Sequence, residues 1–163
     1  MPVKSFLFIY TGASNLIYIF CKTTIVKCIL NILEATRKKV LLLAPTGRAS
    51  KRLSESCNQE AKTIHRLLEI EYSKGDVPYF AHDEKNPLDT DFLIIDEVSM
   101  VRSDLLDTID AVLRHVKHRP RHPFGGVQVL FIGDLFQLSP VAREQEWRLL
   151  QPYYEGAYFF QAQ

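Results

Sequence analysis

The chain has 163 residues, 47% hydrophobic and 24% charged, with a formal net charge of +1. That profile fits one soluble globular domain, long enough to bury a core, and shows no repeat or low-complexity segment. Near-neutral charge provides no global basic field for nucleic acid, although residues 114–122, "RHVKHRPRH", gather basic side chains and three histidines without an acid. Such a run is either a solvated loop or a nucleic-acid contact.

In chain order, the first apolar run, Phe6 to Tyr10, reads as a buried strand closed by Thr11-Gly12. Residues 5–20 are strongly apolar, but Thr11, Ser14 and Asn15 interrupt them, and the stretch is shorter than the ~20 residues a membrane helix needs. No membrane segment or cleaved signal is expected. Residues 23–36 read as a helix with Ile25, Ile29, Leu30 and Leu33 on one face. "KKVLLLAP" (38–45) is a continuous apolar run ended by proline, as in a central parallel strand. "RASKRLSES" (48–56) reads as a helix, and "TIHRLLEI" (63–70) as a short helix capped by Thr63. Residues 71–90 are polar, contain Gly75, Pro78 and Pro87, and read as an irregular excursion. "DFLIID" (91–96) is a buried strand. A helix over 103–117 sets Leu105, Leu106, Ile109, Val112, Leu113 and Val116 on one face, and "VQVLFIGD" (127–134) is a further buried strand. Fully apolar strands alternating with helices predict an α/β domain whose sheet is mainly parallel with helices on both faces. Three cysteines, Cys21, Cys28 and Cys57, lack metal-ligand spacing and read as reduced thiols of an intracellular protein.

Ligands of open α/β sheets bind at the C-terminal ends of strands. One strand ends there in Asp96-Glu97. The first carboxylate of such a pair can hold Mg²⁺, and the second can take a proton from an attacking water. "FIGDLFQLSP" (131–140) adds Gln137, an amide able to orient that water or sense a γ-phosphate. Between the first strand and the first helix, Lys22-Thr23-Thr24 fit the end of a phosphate-binding loop, G-x-x-x-x-G-K-[ST]. The middle does not fit. Lys22 follows Gly12 by ten positions rather than six, and Cys21 precedes it in place of glycine.

"LLLAPTGRASKRL", "KTIHRLL", "FLIIDEVSMV" and "VQVLFIGDLFQLSPV" together resemble, in order and spacing, the superfamily 1B DNA helicases that move 5′ to 3′, the RecD-like and PIF-type enzymes. "DLLDTIDAVLRHV", "PFGGVQ" and "EWRLLQPYYEGAYFF" look closest to bacterial PIF-type members, which implies a bacterial cytoplasm. The resemblance covers residues 22–163 and implies that 1–163 is a single RecA-like P-loop NTPase lobe using ATP and Mg²⁺ on single-stranded DNA. By position, Gly12, Lys22, Thr23, Thr24 and Asp96 would hold the nucleotide. Thr23 and Asp96 would serve the metal, and Lys22, Glu97 and Gln137 the chemistry. Pro45, Thr46, Gly47 and Arg48, with Thr63 and His65, would touch DNA backbone and bases. A second RecA-like lobe, which in the family supplies an arginine finger, has no counterpart in this chain. The family loop also has inner glycines that let backbone N–H groups converge on phosphate. "SNLIYIFC" (14–21) has none, and its apolar residues are expected to prefer a strand or buried packing. Two readings follow: an ATP-dependent motor lobe, or a catalytically inactive derivative acting as a DNA or protein interaction module.

Overall fold

The computed structural model describes residues 7–10, 15–68, 70–72, 78–80 and 88–163, with side chains at 22, 24–68 and 88–163. Four predicted strands form one parallel sheet: β1 (Leu7–Tyr10), β2 (Val40–Ala44), β6 (Phe92–Ile95) and β7 (Gln128–Gly133). A fifth, short strand, β3 (Ala61–Thr63), joins β2 in parallel and completes the order β1-β7-β6-β2-β3. Its three residues carry too little apolar pattern to be read from sequence. Successive residues of each strand point to opposite faces, and both faces are covered. Leu42, Ile94, Leu130 and Ile132 pack with Val26 and Leu30 of α1 (Asn15–Ala35) and Leu53 of α2 (Gly47–Cys57). Leu43, Leu93, Ile95, Val129 and Phe131 pack instead with α3 (Ile64–Leu68) and with Leu106, Ile109, Val112 and Leu113 of α4 (Ser103–Val116). A sheet buried on both sides explains why its strands are apolar throughout rather than alternating.

Two readings are corrected. The excursion over 71–90 is not wholly irregular, because β4 (Ile70–Tyr72), which takes in the last residue read as helical, pairs antiparallel with β5 (Pro78–Phe80). The first helix begins at Asn15, not Thr23, so residues 15–21 are helical rather than strand-like. The physical reason is propagation. Once a turn is nucleated each further residue adds a hydrogen bond, and 15–35 contains neither glycine nor proline to stop it. Apolar side chains satisfy a helix as readily as a strand when nothing in the backbone forbids it.

The turn from α4 into β7 has one position that tolerates no side chain. Gly125 sits at φ +61°, and a Cβ there would lie 2.4 Å from the Leu113 carbonyl oxygen and 2.8 Å from Lys117 Cβ. Gly125→Ala combines left-handed strain with a backbone clash. It should destabilise the fold by about 2–4 kcal/mol, read as a lower denaturation midpoint at unchanged m-value.

Candidate nucleotide site and DNA-facing groove

Parallel β6 and β7 deliver the chemistry to one sheet edge. β6 ends at Ile95, and Asp96 and Glu97 follow it. Asp96 is buried, and its Oδ1 accepts the Glu97 backbone N–H at 2.9 Å. Glu97 adopts a left-handed backbone (φ 52°, ψ 40°), unusual for a residue with a side chain. Such strain costs about 1 kcal/mol and concentrates where a side chain must be aimed.

Lys22 arrives from α1 on the neighbouring face. Only 8% exposed, its Nζ lies 2.6 Å from Asp96 Oδ1 and 3.3 Å from Glu97 Oε1. Burial alone would depress the ammonium, but Asp96 and then Glu97 outweigh it and hold Lys22 above its ordinary value. Arg52 of α2 completes the cluster, its Nη2 2.8 Å from the same Glu97 oxygen. Two cations thus balance two carboxylates. Arg52 was missed in the sequence, although its spacing from Arg48, one helical turn back, puts it on the same side of α2.

Gln137 follows β7, the strand beside β6, and so sits at the same sheet edge. It is exposed, and its N–H donates to the Asp134 carbonyl at 3.1 Å. Among the described residues its side chain makes no hydrogen bond to Asp96 or Glu97. Thr24 is exposed on α1. Gly12 and the side chain of Thr23 lie outside the described residues.

The six DNA candidates are brought to the same edge by β2 and β3, where Ala44 pairs with Thr63. Pro45, Thr46 and His65 line one groove of about 720 Å³ with Arg102, Leu105 and Leu149. The two threonine hydroxyls are already used locally. Thr46 Oγ1 caps α2 by accepting the Ala49 N–H at 3.2 Å, and Thr63 Oγ1 accepts the Arg66 N–H at 3.2 Å. Thr63 therefore ends β3 and caps α3 at once. Gly47 and Arg48 are exposed at the first turn of α2. Arg102, a second residue missed in the sequence, is forked onto Asp104 at 2.9 and 2.7 Å and onto Glu146 of α5 (Glu144–Leu150) at 2.7 Å.

A Cβ on Gly47 would meet nothing within 4 Å. Gly47→Ala should therefore stabilise the start of α2 by up to ~1 kcal/mol. If DNA approaches this backbone closely, the same change should weaken oligo(dT) binding. Thermal melts and anisotropy on one protein sample separate the two effects.

A five-stranded parallel sheet with a lysine facing a carboxylate pair at its C-terminal edge defines a RecA-like α/β P-loop lobe. The family model described as "AAA domain" matches residues 20–143, and the chain belongs to that family. Within it the chain is a PIF1-like member of superfamily 1B. It is 30% identical over 144 residues to an ATP-dependent DNA helicase PIF1 of Saccharomyces cerevisiae, covering 83% of this chain and 16% of that protein. It is 36% identical over 121 residues to the ATP-dependent RecD2 DNA helicase of Deinococcus radiodurans, covering 74% and 15%. The solved Pif1 helicase from Bacteroides in complex with ADP-AlF3 and ssDNA superposes with a TM-score of 0.74 at 36% identity, covering 98% of this chain and 35% of that one. The chain thus spans about a third or less of the length of these relatives. They come from eukaryotes and bacteria, so the expected bacterial cytoplasm does not follow from them. Among the described residues no helix is long and apolar enough to cross a membrane.

Proposed function

We propose that this lobe binds Mg-ATP at the Lys22–Asp96–Glu97 edge and serves as the first motor lobe of a helicase that moves 5′ to 3′ on single-stranded DNA. The observation that carries the reading is Lys22 Nζ within 2.6 and 3.3 Å of the two carboxylates, across 74 and 75 residues of sequence. A buried acidic oxygen set of this kind suits Mg²⁺, a hard cation that prefers carboxylate and water. Asp96, with the Thr23 hydroxyl, would hold it, and the ion would neutralise charge on the phosphates. Lys22 would exchange a carboxylate for phosphate oxygen. Glu97, aimed by its left-handed backbone, would accept the proton of the attacking water, and Gln137 would orient that water. Arg52 would stay on Glu97 when Lys22 leaves. Thr46, Gly47, Arg48 and His65, with Pro45 and Thr63, would track the DNA backbone without reading sequence. The stepping itself would need a second lobe.

Glu97→Gln should keep Mg-ATP binding and lower DNA-stimulated hydrolysis by about 10²–10⁴, the range for losing a general base. Calorimetry and phosphate release read the two separately. Hydrolysis equal to the unaltered protein would remove Glu97 from the role. Absence of any saturable Mg-ATP binding in the unaltered protein would remove the proposal.

A further inference from the structure

The basic stretch at 114–122 takes no part in the site above, because it lies at the opposite edge of the sheet. α4 starts after β6 at the C-terminal edge and ends at Val116, and residues 117–127 lead into the start of β7. Arg37, Lys38 and Lys39 lead in the same way into the start of β2. Since β7 and β2 pair in parallel with β6 on its two sides, these two turns flank the start of β6. Asp91, just before β6, joins them. Its carboxylate accepts the Lys39 N–H at 3.0 Å and its carbonyl accepts the Gln128 N–H at 3.2 Å. The Lys39 amide first, with Lys38 and Lys117 adding, keeps that carboxyl below the usual range.

The turn is tied down by internal hydrogen bonds. Arg114 pairs with Asp110 at 2.7 Å and donates to the Pro120 carbonyl at 2.8 Å. Arg119 N–H bonds the Arg114 carbonyl at 3.0 Å, and His122 N–H the Arg119 carbonyl at 3.1 Å. Phe124 is buried beneath, its N–H on Asp110. Of the acids at this rim, Asp110 is paired with Arg114 and Asp89 with Lys39, and Asp91 accepts the Lys39 backbone N–H. Glu34 and Glu55 bound the patch on the α1–α2 side. Among the described residues Arg37, Lys38, Lys117, Arg119 and Arg121 make no ion pair, and all but the half-buried Lys117 are exposed. Compensation of a helix C-terminus accounts for Arg114 and His115 in the last turn. It does not reach Arg119 and Arg121.

We propose that this N-terminal edge is a second docking surface, for the phosphate backbone of duplex DNA. Single strands are held mainly by stacking bases on aromatic rings; this turn's only Phe, Tyr or Trp, Phe124, is buried, and its exposed rings are the imidazoles of His115, His118 and His122. What it presents is exposed cationic charge on a hydrogen-bonded turn, which suits sequence-independent phosphate contact. The surface needs no nucleotide and lies across the sheet from Lys22. Its failure and failure of the motor assignment are therefore separate results.

The experiment is anisotropy of a short blunt duplex and of oligo(dT) over a range of salt. Arg119→Gln with Arg121→Gln should weaken duplex binding about tenfold at ~0.1 M salt and flatten the log–log salt slope by about 2, near 0.9 per lost phosphate contact. Lys38→Gln with Lys117→Gln should do the same, so that one pair reads out even if the other folds poorly. Neither pair should alter oligo(dT) binding. Duplex binding absent from the start, unchanged by both pairs, lost in parallel with oligo(dT), or exceeded by binding to phosphatidylserine vesicles would each overturn the proposal.

Discussion

Lys22→Met should cost the fold about 3 kcal/mol before any ligand is added, and should also remove most affinity for Mg-ATP. The lysine is 8% exposed and lies 2.6 Å from Asp96, itself 7% exposed. Removing one partner of a buried pair strands the other charge, at roughly 3–5 kcal/mol. The lower end applies because Arg52 still neutralises Glu97. Asp96→Asn in the Lys22→Met background should recover stability, since the stranded charge is gone, without recovering nucleotide binding. Denaturant midpoints and calorimetry on the four proteins form the cycle. Recovery of both together would mean that the lysine is only structural. The alkaline limb provides a second reading. The folded state holds Lys22 above its ordinary 10.5, so its contribution is complete below that value and fades as pH rises past it. Tyr154, pushed up to about 12 by burial and by donating to Asp107, loses stability over the same alkaline range and remains in both proteins. The difference between the unaltered protein and Lys22→Met should therefore shrink above about pH 10.5.

That cluster also shows what sequence could carry. β1, β2, β6 and β7 were legible because burial on both faces leaves an uninterrupted apolar run, as in "VLLLA" and "FLII", whereas the three-residue β3, β4 and β5 were too short to carry one. The carboxylates were legible because they follow such a run directly. Arg52 was not, because its one local cue, the i+4 spacing from Arg48, does not say what that side of α2 faces. Only the fold reveals that Arg52 reaches Glu97 while Lys51 pairs along the helix with Glu55. Arg102 was hidden for the same reason, since its partners Asp104 and Glu146 come from two helices. The start of α1 was misplaced by reasoning from a pattern. A lysine followed by threonines suggested a helix beginning at Thr23, whereas the backbone had no glycine to stop the helix earlier.

The displaced helix start sets the last expected result: this protein should bind Mg-ATP at least a hundredfold more weakly than a version with an intact loop. In a P-loop the lysine sits at the helix N-terminus, where the first free N–H groups and the dipole converge on phosphate. Here α1 begins at Asn15, seven residues before Lys22. At 1.5 Å per residue that is about 10 Å along the axis. The ammonium and the helix start therefore cannot converge on one phosphate group in the loop's manner. The inner glycines that would supply further N–H donors are also absent. Two lost charge-assisted hydrogen bonds at roughly 1.5–3 kcal/mol each amount to about 3 kcal/mol or more, and about 1.4 kcal/mol is a factor of ten. Replacing residues 13–21 with Gly-Ala-Gly-Thr-Gly restores both the six-position spacing and the glycines. Titrated side by side with Mg-ATP, the replaced protein should bind at least a hundredfold tighter, with Asp96→Asn as a common control on metal dependence. Equal and tight binding by both would show that the apolar segment builds a working phosphate cradle, and that helix position and inner glycines do not set affinity here.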